Sequence, residues 1–429
     1  MSYTANSNKQ FSYSLSVILS LLFFIMAFNN GLAIYHGDTT LAWWQFRLIV
    51  IGAGYACTVI CALLTVIKLK SEKSGIALRD LLAFFIPTVY YFILFISYRD
   101  GDASFFLLLF LRTLGLGLFI IADKDCKLRT FQLYRKCIVV MALLGIVVYA
   151  AQLIPLPLPH RVVPYYSLVG AGDYYDYYLG YVYKSLTGFT RLCGLFNEPG
   201  YFGTILAFVL CADGMNLRKK ENIVLLIAGC LTFSFAFFAL LLIHLILASY
   251  KKPKLMAFLI ILVLLMVYVV PNIQLSNNDV AKLISRFYSL ETSLESRTRS
   301  SFDTLFERWK TSDKVLFGYG HGYGKSIDPD GSSSYKSYFV DYGVAGFILM
   351  FAPLLIYAFR KAKGNSKCVF FVVLFIASIY QRPNIYSILY FVILFGGLEY
   401  IATVQPEADI VSKVSLSEKR HGFRIKLKG

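Results

Sequence analysis

The sequence predicts an all-α polytopic membrane protein of about twelve transmembrane helices, with two large outer-face loops, the second containing an amphipathic helix. Three observations predict it. Of 429 residues 57% are hydrophobic and only 16% charged; mean hydropathy is +0.62. Apolar runs recur at lengths that cross roughly 30 Å of hydrocarbon. Lysine and arginine alternate between the connections as the positive-inside rule requires.

Taken in order, the apolar runs are 12–28, 46–67, 81–97, 104–121, 137–156, 255–271, 338–359, 368–380 and 385–402. The run at 199–213 is short, and 222–249 is too long for one upright helix but fits two short ones broken near Thr232 and Ser234. The first run lacks an A-x-A-like cleavage site and reads as a retained helix. With the N-terminus inside, the connections 68–80, 122–136, 213–221, 250–254 and 360–367 carry 4, 5, 3, 3 and 4 basic residues. The outer segments 29–45, 98–103 and 381–384 carry none, one and one. This parity holds only if 222–249 crosses twice.

The chain therefore divides into an N-terminal bundle of about five helices (1–156), a tyrosine-rich outer loop (157–198), central helices (199–272), a large outer loop (273–337), C-terminal helices (338–402) and a basic inner tail (403–429). Topology absorbs most of the +17 charge, so the lipid bilayer is the implied partner and no nucleic acid is required. The inner loops are short and hold no metal-ligand cluster or nucleotide fingerprint, so no cofactor is expected. FGYGHGYGKS (317–326) mimics a phosphate-binding loop, but Tyr319 stands where G-x-x-x-x-G-K-[ST] needs its first glycine.

Polar residues concentrate in the two outer loops. The first has eight tyrosines between Tyr165 and Tyr183, either an interfacial aromatic belt or a platform for sugar. It closes with T-R-L-C-G-L-F-N-E-P-G-Y-F-G, where Pro199 suits the first turn of a helix. That helix is too short to reach the surface, so its positive end, Arg191 and Glu198 should gather in a cavity. The alternative is an Arg191–Glu198 pair that only locks the loop. The second loop carries apolar residues at helical spacing (Phe287, Leu290, Leu294, Phe302, Leu305, Phe306, Trp309) beside Arg286, Arg297, Arg299 and Arg308. A guanidinium fork suits phosphate or pyrophosphate; the alternative is a solvated face paired with Glu291, Glu295 and Glu307. Arg112, inside the fourth run, is a candidate for an internal ion pair or a lipid-phosphate contact. Tyr319, His321 and Tyr323 on the glycine run, with Tyr335 just before the next run and Asp341 at its start, complete the candidate contacts.

These residues resemble the bacterial O-antigen polymerases and the related O-antigen ligases. R-L-C-G-L-F-N-E-P-G (191–200), L-T-F-S (231–234), the arginine helix with its following Gly-x-Gly, and S-S-S-Y-K-S-Y-F-V-D-Y-G-V-A-G (332–346) carry the resemblance. Ser332 and Ser333 stand where ligases typically carry a His-Asn pair, which favours polymerase. The resemblance implies polymerisation of undecaprenyl-pyrophosphate-linked oligosaccharide repeats on the periplasmic face of the bacterial inner membrane, in O-antigen lipopolysaccharide or related polysaccharide biosynthesis, with both termini cytoplasmic. A chain-length regulator protein is a partner such an enzyme can take. Arg191, Arg297 and Arg299 would neutralise the leaving pyrophosphate without nucleotide or metal. Glu198, His321 and Asp341 are the available bases, Glu198 the favoured one. A ligase, or a transporter or flippase of the lipid-linked oligosaccharide, is the alternative function.

Overall fold

The computed structural model of the protein describes residues 2–29, 41–72, 78–98, 103–154, 156, 158–167, 170–185, 190–268, 300–327 and 334–404. Helices stand at each predicted apolar segment. The first part of the chain forms α1 (Ser2–Asn29), α2 (Leu41–Glu72), α3 (Leu78–Phe84), α4 (Ile86–Ser97), α5 (Ala103–Ile121) and α6 (Lys124–Leu153). The centre forms α7 (Pro199–Ala212), α8 (Lys220–Leu231), α9 (Phe235–Ala248) and α10 (Pro253–Tyr268). A short α11 (Ser300–Lys310) and a single turn, α12 (Tyr323–Ile327), precede α13 (Tyr335–Ala362) and α14 (Ser366–Gln381). The last helix, α15 (Ile388–Val404), contains a π-turn at Val392–Gly396.

Among the described residues, six helical stretches are long and apolar enough to cross a membrane: α1, α2, α3 with α4, α5, α6 and α13. Helices α7, α9, α14 and α15 are apolar but shorter. Leu63, Leu82, Ile96, Val147 and Ile348 on the long helices are each more than half exposed. An apolar belt of this kind suits a hydrocarbon surround, in which helices satisfy their own backbone groups.

The all-α expectation fails in the tyrosine-rich segment between α6 and α7. Four strands, β1 (Arg161–Ser167), β2 (Gly170–Asp176), β3 (Tyr181–Ser185) and β4 (Thr190–Gly194), pair antiparallel in sequence order. Tyrosine and valine suit a pleated, half-buried surface. Tyr174, Tyr183 and Cys193 pack together on one face, while Val182 and Leu192 turn the other way into the main core. A Cβ added to Gly145 of α6 would lie 3.0 Å from a Leu192 methyl, so the sheet rests directly on α6. Tyr174, Tyr177 and Tyr183 are buried, and burial of these rings removes them from an exposed sugar platform.

Helix α7 is the axis of the core. It is apolar all round, as an enclosed helix must be, and every side chain from Thr204 to Ala212 is at most 3% exposed. Its 14 residues rise about 21 Å. The break between α8 and α9 falls at Thr232–Ser234, with Phe233 at φ 44°. The Ser234 hydroxyl caps α9 by accepting from the Phe237 amide. A Cβ on Gly203 would approach Ser234 Cβ to 2.6 Å, so the break packs on the first turn of α7.

The other end of α7 closes in a buried ion cluster. Asp213 accepts from Arg135 Nε at 2.7 Å, from Lys219 at 2.7 Å and from the Tyr400 hydroxyl at 2.7 Å. Glu221 also pairs with Arg135. Burial alone would raise the Asp213 carboxyl, but the hydrogen bonds of Lys219 and Tyr400 and the charge of Arg135 hold it below the usual carboxylate range.

Before α13, α11 buries Phe302, Leu305, Phe306 and Trp309 against Val340. The spacing of these four matches the predicted amphipathic face. The glycine run then joins α13 main chain to main chain. Helix α13 is broken at Gly343 (φ 68°), and the amides of Val344 and Ala345, released by the break, donate to Val315 O at 2.9 Å and Leu316 O at 3.0 Å. Tyr319 and Gly320 donate in return to Val340 O and Asp341 O, each at 2.9 Å. A Cβ on Gly318 would lie 2.4 Å from Asp341 O and one on Gly343 2.3 Å from Leu316 O. The glycines serve this close crossing of two backbones.

Candidate functional site

The site forms at the N-terminal end of α7. Glu198 precedes Pro199 and is held extended (φ −142°, ψ 140°), the conformation that a following proline favours. Its carboxylate does not cap α7. It accepts instead from Arg382, at the C-terminal end of α14, across 2.7 Å, and the same guanidinium lies 5.0 Å from the Tyr201 ring centre. Arg191 on β4, opposite Tyr183, donates to Thr232 O at 3.0 Å and Phe233 O at 3.2 Å. It thereby holds the carbonyls at the strained break between α8 and α9.

Arg112 in α5 reaches the same region from the opposite side. Its guanidinium donates to Tyr386 O in the short α14–α15 connection, and the Tyr386 ring stacks on Tyr90 with centroids 4.2 Å apart. The Tyr201 ring lies 6.2 Å from the Tyr390 ring and 5.0 Å from the Arg382 guanidinium, so these three groups share one neighbourhood. The connection that begins at Arg382 and ends near Tyr386 links both arginines.

Two polar atoms there are left over. Among the described residues, Nε of Arg112 and Nε of Arg382 are buried without a hydrogen-bond partner. A buried donor left unmade costs about 1–3 kcal/mol. Two such donors on charged groups, beside the positive end of a helix, suit an anion with several acceptor oxygens. Between α7, α9 and α14 lies a cavity of about 320 Å³, lined chiefly by Phe235, Ala236, Ala239, Leu240, Ile243 and Ala377, and Arg382 forms part of its wall.

The other predicted residues are distributed as follows. Arg286, Arg297, Arg299, Ser332 and Ser333 lie outside the described residues. Arg308 is exposed on α11, away from the buried Phe302–Trp309 face. Tyr335 packs 5.0 Å from Tyr380, a cavity residue. Tyr319 and Tyr323 stack on each other at 4.4 Å against the α11 cluster. Asp341, expected as a base or contact, spends its carboxylate on the glycine run, accepting from Gly322 N at 3.0 Å and Gly324 N at 2.9 Å. It anchors a loop.

His321 is likewise drawn inward. Its amide donates to Ser97 O at 2.9 Å, its Nδ1 bonds the Tyr342 hydroxyl, and its ring lies 5.0 Å from that of Tyr98. Burial, with a smaller contribution from Lys325, pushes the imidazole below its ordinary value. The Arg191–Glu198 lock considered from sequence is replaced by two separate sets of bonds, Arg191 to main-chain carbonyls and Glu198 to Arg382.

Sequence reasoning missed Arg382, counting it only as a loop charge. The available signal was its place directly before Pro383 at the outer end of an apolar run. Among the described residues, no group of three or more His, Cys, Asp or Glu is placed to hold a metal ion. Comparison of the chain with protein-family models, curated proteins and solved structures finds no match.

Proposed function

We propose that the protein is a membrane glycosyltransferase that polymerises oligosaccharide repeat units carried on undecaprenyl pyrophosphate, with the lipid pyrophosphate as leaving group. The observation that carries this reading is a pair of arginines joined by the α14–α15 connection, Arg382 on Glu198 before α7 and Arg112 on Tyr386 O, each with a buried Nε–H that has no hydrogen-bond partner among the described residues. Leaving-group charge develops as the glycosidic bond breaks, and preorganised cationic donors stabilise it without nucleotide or metal. Glu198 is the carboxylate at this place and the candidate base for the acceptor hydroxyl. In this reading all twelve apolar segments cross the bacterial inner membrane, both termini are cytoplasmic and the site faces the periplasm; the basic connections support that orientation.

The test is purified protein with a lipid-linked repeat unit and no nucleotide, resolved for chain-length ladders. Ladders are expected from the wild type and not from an Arg191→Ala, Arg382→Gln double variant. Ladders made equally well by that variant would remove the site. Transfer to a lipid-A core in place of ladders would identify a ligase, and movement of the lipid with no new glycosidic bond a transporter.

A further inference from the structure

The cavity between α7, α9 and α14 has a feature that its apolar wall alone does not explain. Its α9 and α14 sides are hollowed by Ala236, Ala239 and Ala377, and its polar residues are Thr204, Ser378, Tyr380 and Arg382. Arg382 brings to it a positive charge, a buried Nε–H without a partner among the described residues and one carboxylate partner, Glu198. Greasy walls with a few placed polar groups are the usual composition of a ligand pocket. At about 30 Å³ per small heavy-atom group, the volume holds roughly ten such groups. That is room for a segment of hydrocarbon chain.

The geometry points to this cavity as the seat for the hydrocarbon next to the phosphate of a single-chain lipid phosphate, with the phosphate taking Arg382 from Glu198. The inference rests on the functional reading above and deepens it. The fork of Arg382 holds one carboxylate in the empty site. A phosphate offers it more acceptor oxygens and engages the unused Nε–H, so the exchange goes toward the lipid. Glu198 then gives up its Arg382 contact when the donor lipid arrives, and its affinity for the proton of an acceptor hydroxyl rises in the loaded site. Arg382 is thus both a phosphate ligand and a substrate-dependent restraint on Glu198.

Binding, read without turnover, tests the inference. Full-length protein in nanodiscs is titrated with farnesyl phosphate, with farnesol and with inorganic phosphate, and retention is followed by native mass spectrometry. The wild type should retain farnesyl phosphate roughly tenfold better than either control, a difference of about 1.4 kcal/mol. Ala239→Phe, which fills the cavity, should abolish that preference, while Ile243→Ala, which enlarges it, should keep it; thermal unfolding of each variant reports folding separately.

The exchange predicts a sign that a merely structural ion pair does not. Glu198→Gln frees Arg382 in advance and should tighten farnesyl phosphate binding while slowing chain extension. Weaker or unchanged binding in Glu198→Gln overturns the exchange, and wild-type binding in Ala239→Phe overturns the seat. Binding that behaves as expected in a protein that makes no ladders would retain the seat and discard the polymerase.

Discussion

The two ends of α7 hold charge in opposite ways. At its C-terminal end, Arg135 and Lys219 meet Asp213 and Glu221, and the Tyr400 hydroxyl completes the Asp213 shell. At its N-terminal end, Arg191 and Arg112 donate to main-chain carbonyls, Arg382 holds Glu198, and two Nε atoms are unused among the described residues. The first cluster is closed and explains itself by the stability of the fold. The second leaves two buried Nε donors without a partner among the described residues, and in the proposed reading these await a ligand.

The strongest challenge to this contrast is removal of Arg135. Asp213 has no side-chain exposure, but Lys219 and Tyr400 still hold it when Arg135 is removed. Arg135→Ala should therefore lower thermal stability in detergent by less than the roughly 3–5 kcal/mol of a buried charge left without a partner, whereas chain extension per folded molecule, in the proposed reading, should change little. Wild-type unfolding of Arg135→Ala would show that the closed cluster is not structural.

At the N-terminal end the balance should reverse. In the proposed reading, Arg382→Gln removes a preorganised donor to developing charge and should cost on the order of a hundredfold in rate, and Arg191→Ala should slow chain extension by releasing the Thr232 and Phe233 carbonyls beside the site. Arg191→Lys separates charge from geometry: it retains the charge and loses the fork. If the lysine variant extends chains at the wild-type rate, the bidentate hold on Thr232 and Phe233 is dispensable.

A smaller effect belongs to the splice between the glycine run and α13. Gly343 has φ 68°, a backbone region that costs of order 1–3 kcal/mol for a side-chain-bearing residue. Gly343→Ala should lose at least that much in unfolding measurements, because its Cβ would also lie 2.3 Å from Leu316 O. Gly322→Ala should lose less, because a Cβ there meets no atom within 4 Å and only its φ of 78° opposes it.

Acid should separate the two regions along the pH axis with the least energy. His321 in the folded protein titrates below 6.5. The unfolded chain therefore binds the proton first, and stability is complete above pH 6.5 and declines below it. Asp213 titrates below 3.8 when folded, so its contribution is complete above pH 3.8 and lost as pH falls further. His321→Gln should flatten the earlier part of the acid unfolding curve and leave the later part unchanged.

Much of the helical framework was legible in the sequence because its signals are local. Pro199 marks the start of α7, T-F-S marks the break between α8 and α9, and Phe302, Leu305, Phe306 and Trp309 keep helical spacing on α11. The sheet was not legible, because strand alternation in V-P-Y-Y-S and Y-V-Y-K-S is short, and neighbouring glycines and tyrosines fit an interfacial loop equally well. Arg382 and Glu198 meet across 184 positions of chain, and no local pattern encodes such a meeting. Asp341 shows the converse error: a carboxylate near a candidate site was read as chemistry, although its two oxygens satisfy the amides of Gly322 and Gly324.

The main-chain splice between residues 315–320 and 340–345 also determines how this region can vary. Amide-to-carbonyl bonds carry no side-chain code. Related chains are therefore free to exchange the exposed Leu316 and Phe317 for residues of quite different character while the attachment survives. Gly318 and Gly343 have no such latitude, because each fills the space where the other strand's backbone passes. Two invariant glycines in a drifting neighbourhood would be the evolutionary signature of this joint.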